Sequence, residues 1–178
     1  MPTTDKRLLD TFRPGSTHWV GDGFHVRNLF PSNAVGEQLS PFLLLDYMGP
    51  STFGPSDEPR GVGEHPHRGF ETVTLLYQGR VAHRDSAGNS GVIGPGDVQW
   101  MTAAGGVVHE EKHEREFAKH GGTLHGVQLW VNLPIKDKLS APRYQEIPKA
   151  TIPVVESGSA RVRVIAGEFN GARGPAKT

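Results

Sequence analysis

Thr72-Val73-Thr74-Leu75-Leu76-Tyr77, then Gln78-Gly79-Arg80, then Val81-Ala82-His83-Arg84, is the stretch that decides the fold. β-Branched and aromatic residues fill the first run, and a glycine-containing turn closes it. The pattern predicts a strand, a turn and a returning hairpin partner. The same grammar continues outward. Asp85-Ser86-Ala87-Gly88-Asn89-Ser90-Gly91 is a turn rich in residues that tolerate positive φ. Val92-Ile93 is short, Gly94-Pro95-Gly96-Asp97 turns again, and Val98 to Met101 is a strand broken at Gly105-Gly106. Val107-Val108-His109 resumes extended structure.

Upstream, Trp19 to Asn28 alternates loosely as one early strand, Pro41 to Asp46 reads as a buried strand, and Gly49 to Gly63 reads as a long loop. Downstream, Glu110 to His120 predicts one or two helical turns. Leu124 to Leu133 alternates, with Val127, Leu129 and Val131 on one face and Gln128, Trp130 and Asn132 on the other. Arg161 to Ile165 is the last strand. Strands at roughly 8–12-residue spacing predict an all-β sandwich or barrel.

The 178 residues suit one domain with a core of its own. Cysteine is absent, so thiolate metal sites are excluded and any metal must be held by His, Asp or Glu. Lys plus Arg equal Asp plus Glu at 19 each, which is poor footing for direct nucleic-acid binding. The stretch Met1 to Pro14 is polar, and no run approaches the roughly 18 apolar residues of a membrane span. A cytoplasmic protein without membrane contact is expected.

Two of the histidine placements are unusual. His65-Pro66-His67 sets two imidazoles at i and i+2, which in extended chain point the same way about 6.6–7 Å apart. Pro66 favours extended structure at His65. His109-Glu110-Glu111 repeats the spacing with an imidazole and a carboxylate. On facing strands the two pairs would offer three nitrogens and one oxygen to one divalent ion. Such a donor set suits Fe(II), and also Mn, Co, Ni, Cu or Zn. His109 to His113 also spells H-E-x-x-H, but that motif needs a helix, and Gly105-Gly106-Val107-Val108 is a poor helix lead-in.

These residues carry a resemblance. His65-Pro66-His67-Arg68-Gly69-Phe70-Glu71-Thr72-Val73, Gly94 to Ala103, His109-x-Glu111, Gly126 to Pro134 and Pro142-Arg143-Tyr144-Gln145 together resemble the pirin family of the cupin superfamily. The resemblance implies a cupin jelly-roll β-barrel over residues 1–168, a single barrel without the usual second pirin barrel, followed by a tail at 169–178. It implies iron held by His65, His67, His109 and Glu111, with Glu111 also the catalytic carboxylate. The general cupin pattern is kept at His65, His67 and Glu71 but departs at Pro59, where a glycine is usual. Glu71 is thereby an alternative ligand or a supporting carboxylate.

As for activity, the resemblance implies an Fe(II) dioxygenase that opens flavonols such as quercetin, with a small phenolic substrate and dioxygen as its partners. The alternative is a non-enzymatic, metal-binding transcription co-regulator acting through protein partners. A third is a metal-dependent isomerase of a sugar or keto acid. Separately, a homo-oligomer could cover the face left without a second barrel. Arg68 is a candidate for holding an anionic substrate. Phe42, Phe53, Phe70, Trp100, Met101 and Trp130 are candidates for core packing or for the wall of a cavity.

Overall fold

The computed structural model describes residue 8, residues 10–31 and residues 38–178. Much of the polar stretch Met1 to Pro14 lies outside the described residues. Among the described residues the strands follow in order: β1 (Thr17–Val20), β2 (Phe24–Pro31), β3 (Phe42–Phe53), β4 (Gly61–His67), β5 (Phe70–Gln78), β6 (Val81–Asp85), β7 (Ser90–Ile93), β8 (Val98–Thr102), β9 (Val107–His113), β10 (Gly122–Asn132), β11 (Arg143–Ile147), β12 (Val154–Ser157), β13 (Ala160–Arg163), β14 (Glu168–Phe169) and β15 (Ala172–Arg173). A short helix, Arg115–His120, separates β9 from β10.

The strands build the expected all-β jelly roll. The larger sheet has seven strands in the order β1-β2-β3-β10-β5-β8-β11, the one packed on it has four in the order β4-β9-β6-β7, and β12-β13 and β14-β15 form two small two-stranded sheets. The predicted hairpin between the Thr72 and Val81 runs does not form. β5 pairs with β10 and β8, whereas β6 pairs with β7 and β9. The turn at Gly79-Arg80 instead carries the chain from one sheet to the other. Leu76 and Val81 show why: both are fully buried in the same core cluster, so their strands meet across the sandwich rather than side by side.

Other boundaries move for related reasons. The early strand is two, β1 and β2, paired as a hairpin. The predicted loop from Gly49 to Gly63 shrinks to residues 54–60, because β3 keeps its ladder to β10 as far as Phe53 and β4 begins at Gly61. Glu110 to His113 remain in β9, so the H-E-x-x-H string is extended and not helical. Glu114 then starts the helix by accepting from the backbone N–H of Glu116 and Phe117. Gly94 to Asp97 forms the expected turn, with Pro95 and Gly96 (φ +87°) at its centre and Asp97 N–H donating to the Gly94 carbonyl.

Strand parity sorts the side chains. Along β5, Thr72, Thr74 and Leu76 face the interior, while Glu71, Val73 and Leu75 face outward. Along β10, Gln128 and Trp130 face the interior. One end of the interior is apolar: Phe24, Val26, Met48, Phe53, Leu76, Val81, Ile93 and Leu124 pack together. Each such side chain contributes about 1.5–3 kcal/mol on burial. The outer face of β8 at Val98 and Trp100 is covered by Ile147 and Ile152 of the C-terminal segment. Residues 169–178, expected as a tail, include β15 and fold back so that Lys177 N–H donates to Gln145 Oε1 at 2.9 Å.

Candidate metal centre

The four-stranded sheet turns an unusual set of groups inward. β4 and β9 are hydrogen-bonded neighbours in one sheet, not strands facing across the barrel, and His65 is the register partner of His109. Pleating puts His67 on the same side as His65, and Glu111 on the same side as His109. The ligand nitrogens of His65, His67 and His109 all lie within 4.8 Å of one another. Their ring centroids are 4.3 Å (His65–His109), 4.7 Å (His65–His67) and 4.8 Å (His67–His109) apart.

Hydrogen bonds decide which nitrogens are free. His65 Nδ1 lies 2.8 Å from the Gly63 carbonyl, an acceptor only, so Nδ1 carries a proton and in the neutral ring Nε2 is the lone-pair nitrogen. His109 Nδ1 is engaged by His83 Nδ1 at 3.4 Å, while its Nε2 is buried with no partner. Burial first, then the neighbouring imidazoles, push His67 down to about 4 and His109 down to about 3. Both are therefore neutral near pH 7, the form that binds a metal.

Glu111 lies in the same cavity as His65 and His67 but is not part of the three-nitrogen cluster. It is 6% exposed. Gln99 Nε2 donates to its Oε1 at 2.7 Å and Gln128 Nε2 to its Oε2 at 3.0 Å. The Trp130 indole N–H donates to Gln128 Oε1 at 3.0 Å. Since an indole N–H can only donate, Gln128 must turn its amide NH2 toward Glu111. Among the described residues no Lys or Arg pairs with Glu111. A buried carboxylate lining one cavity with a cluster of three imidazoles, one of them with a buried, partnerless nitrogen, is chemically suited to a divalent ion.

The centre opens on a cavity of about 430 Å³, within the size range of small-molecule sites. Its far wall is mostly apolar, with Val26, Leu44 and Met48, and carries Asp46, which accepts from Asn28 Nδ2 at 2.9 Å. Trp130 lines it beside His67, and Phe70 stacks on Trp130 at 4.6 Å.

The remaining expected residues sit elsewhere. Glu71 is on the outer face of its sheet, where it accepts from Thr102 Oγ1 at 2.7 Å and lines a different cavity with Arg143. Phe53 and Met101 are core, Trp100 is on the outer face, and Phe42 and Arg68 are exposed. His113 is bonded to the Gly23 carbonyl and packed against Phe24 and Phe53, four residues along the strand from His109. The sequence reading missed His83, Asp85 and Gln99. His83-Arg84-Asp85 does carry a readable signal, because it repeats the i, i+2 spacing of His65 and His67.

The family model described as Pirin matches residues 23–131. A Pseudomonas aeruginosa protein provisionally named quercetin 2,3-dioxygenase is 57% identical over 175 residues, covering 97% of this chain and 61% of that protein. A pirin-like protein of Solanum lycopersicum is 45% identical over 151 residues, covering 85% of this chain and 48% of that protein. A crystal structure described as quercetin 2,3-dioxygenase from Acinetobacter baumannii superposes with a TM-score of 0.91 at 54% identity, over 96% of this chain and 60% of that one. This chain therefore spans between 48% and 61% of the length of these relatives. No helix among the described residues is long and apolar enough to cross a membrane. The chain belongs to the pirin family.

Proposed function

We propose that the chain is a metal-dependent dioxygenase acting on a flavonol-type phenol, with a divalent ion held by His65, His67, His109 and Glu111. The observation that carries this reading is the buried, partnerless His109 Nε2, aimed at the volume that His65 and His67 also address. The family resemblance supports Fe(II), and the donor set also suits Mn, Co, Ni, Cu or Zn. Such an ion supplies Lewis acidity toward a substrate oxygen and, as iron, redox access to dioxygen.

The chain's own residues do the rest. Glu111 accepts the proton of the substrate's acidic hydroxyl, and the Gln99 and Gln128 amides hold its carboxylate toward the cavity. Trp130 and the apolar wall stack on a planar aromatic ring and exclude water. Asp46 offers an acceptor to a hydroxyl at the substrate's far end.

The test is oxygen uptake with quercetin by protein loaded anaerobically with Fe(II). Uptake that requires the metal and disappears in Glu111→Ala supports the dioxygenase. Metal-loaded protein that takes up no oxygen with quercetin or simpler phenols overturns it.

A further inference from the structure

A second pair of titratable groups stands directly behind the candidate ligands. On the inner face of β6, His83 and Asp85 have side chains 0% and 1% exposed. His83 Nε2 lies 3.1 Å from Asp85 Oδ2, and His83 Nδ1 lies 3.4 Å from His109 Nδ1. Three side chains from two neighbouring strands thus form one line that ends at the bare His109 Nε2.

With His83 neutral, one proton arrangement satisfies this line. Asp85 Oδ1 accepts from the backbone N–H groups of Ala87 and Asn89 at 2.9 and 3.0 Å, and both carboxylate oxygens accept from Asn89 Nδ2. Burial alone would raise the Asp85 pKa, but the hydrogen bonds from His83 and Asn89 outweigh it and hold it below the ordinary carboxylate value. The ionised carboxylate requires N–H at His83 Nε2. A neutral His83 then presents a lone pair at Nδ1, which requires N–H at His109 Nδ1, which leaves His109 Nε2 bare.

His83 is also clamped in place. Tyr144 lies flat on its ring at 4.5 Å and 12°. Gly91, the register partner of His83, makes room for this, because a Cβ there would collide with the Tyr144 hydroxyl.

We propose that Asp85 and His83 are positioning residues that fix His109 in its Nδ1–H tautomer, with its Nε2 turned as a lone pair toward a divalent metal ion. The proposal rests on the metal reading above and adds to it the device that sets one ligand. Neither residue touches the ion or a substrate. Their effect passes through which nitrogen of His109 carries the proton, and through the orientation of its ring.

Asp85→Asn makes the sharpest test. Two backbone N–H groups hold the Oδ1 position as an acceptor, so the new amide NH2 faces His83 Nε2. His83 then protonates at Nδ1 and donates to His109 Nδ1, which moves the His109 proton to Nε2. The experiment uses the whole chain with 15N-labelled histidine. It records long-range 1H–15N spectra of the metal-free protein, then titrates Co(II) against a competing chelator while following the visible Co(II) bands. The parent is expected to show His109 bare at Nε2. Asp85→Asn is expected to show Nε2–H, with Co(II) affinity lower by about 10- to 100-fold at unchanged stoichiometry. His83→Phe keeps the stack on Tyr144 but not the acceptor, and is expected to lose affinity without reversing the tautomer.

A parent protonated at His109 Nε2, or an Asp85→Asn chain with bare Nε2 and affinity within about two-fold of the parent, overturns the proposal. A parent that binds no Co(II) overturns the metal reading itself. The two failures are distinct, since in the first the parent binds Co(II) and only the variants fail to respond.

Discussion

His65 and His109 are register partners across the β4–β9 ladder, with ring centroids 4.3 Å apart. Neighbouring strands lie about 4.7–4.9 Å apart, so one cross-strand pair with one i+2 residue gathers three imidazoles without help from any loop. The three residues nevertheless differ in what the fold asks of them, and that difference is measurable.

His109 is 1% exposed and bonded to His83, whereas His65 is half-buried and bonded only to the Gly63 carbonyl. In metal-free protein, His109→Ala should cost about 1–3 kcal/mol, because it strands His83 Nδ1 in the interior. His65→Ala should change stability by no more than about 0.5 kcal/mol. Denaturant unfolding of the metal-free chains checks this, and equal losses would contradict it.

Two carboxylates close in sequence to the histidine motifs should behave in opposite ways. Glu111→Gln sets an amide against the Gln99 and Gln128 donors and removes a charge from the centre. Metal affinity is expected to fall at least about 10-fold. Glu71→Gln changes a group bonded to Thr102 on the far face of the sheet and should leave metal content at the parent level. Metal retained in Glu111→Gln and lost in Glu71→Gln would reverse the assignment.

Trp130→Phe keeps a ring against Phe70 and His67 but removes the N–H that orients Gln128. Gln128 Oε1 then loses its donor, and the amide is held toward Glu111 less firmly. Oxygen uptake with quercetin is expected to drop about 10-fold while metal content holds. Unchanged uptake would show that Gln128 orientation does not matter.

Acidification should destabilise the metal-free protein in a defined window. His67 and His109 titrate in the folded chain at about 4 and about 3, but near 6.5 when unfolded. Below pH 6.5 the unfolded chain binds more protons than the folded one, so stability falls as pH falls through this range. Thermal midpoints measured from pH 8 down to about 4 should be flat above 6.5 with respect to these groups and decline below it, and His67→Gln should flatten the decline. A midpoint that rises on acidification would contradict the burial of these imidazoles as neutral groups.

What could be read from the sequence was whatever depends on parity within one strand. The i, i+2 spacings at His65 and His109 identified four inward groups, and the alternation at Leu124 to Leu133 placed Gln128 and Trp130 on the same face. What depends on pairing between strands was not legible. Nothing local tells Val81 to pair with Ile93 and His113 instead of β5, because the turn at Gly79-Arg80 suits a hairpin as well as a crossover. The stretch after Gly49-Pro50 looked like loop because both residues weaken strands, and only the ladder to β10 holds it extended. Glu71 sits four residues after His67 and its spacing leaves it open as an alternative ligand, but its register with Thr102 and Val131 turns it to the other face.

The most direct test of the central claim is metal content by mass spectrometry after anaerobic reconstitution with Fe(II) and removal of excess, on the parent chain and on His65→Ala, His67→Ala and His109→Ala. One equivalent in the parent and a near-complete loss in each variant is the predicted result. A parent without metal, or variants that keep the full equivalent, would contradict a centre built on these three histidines.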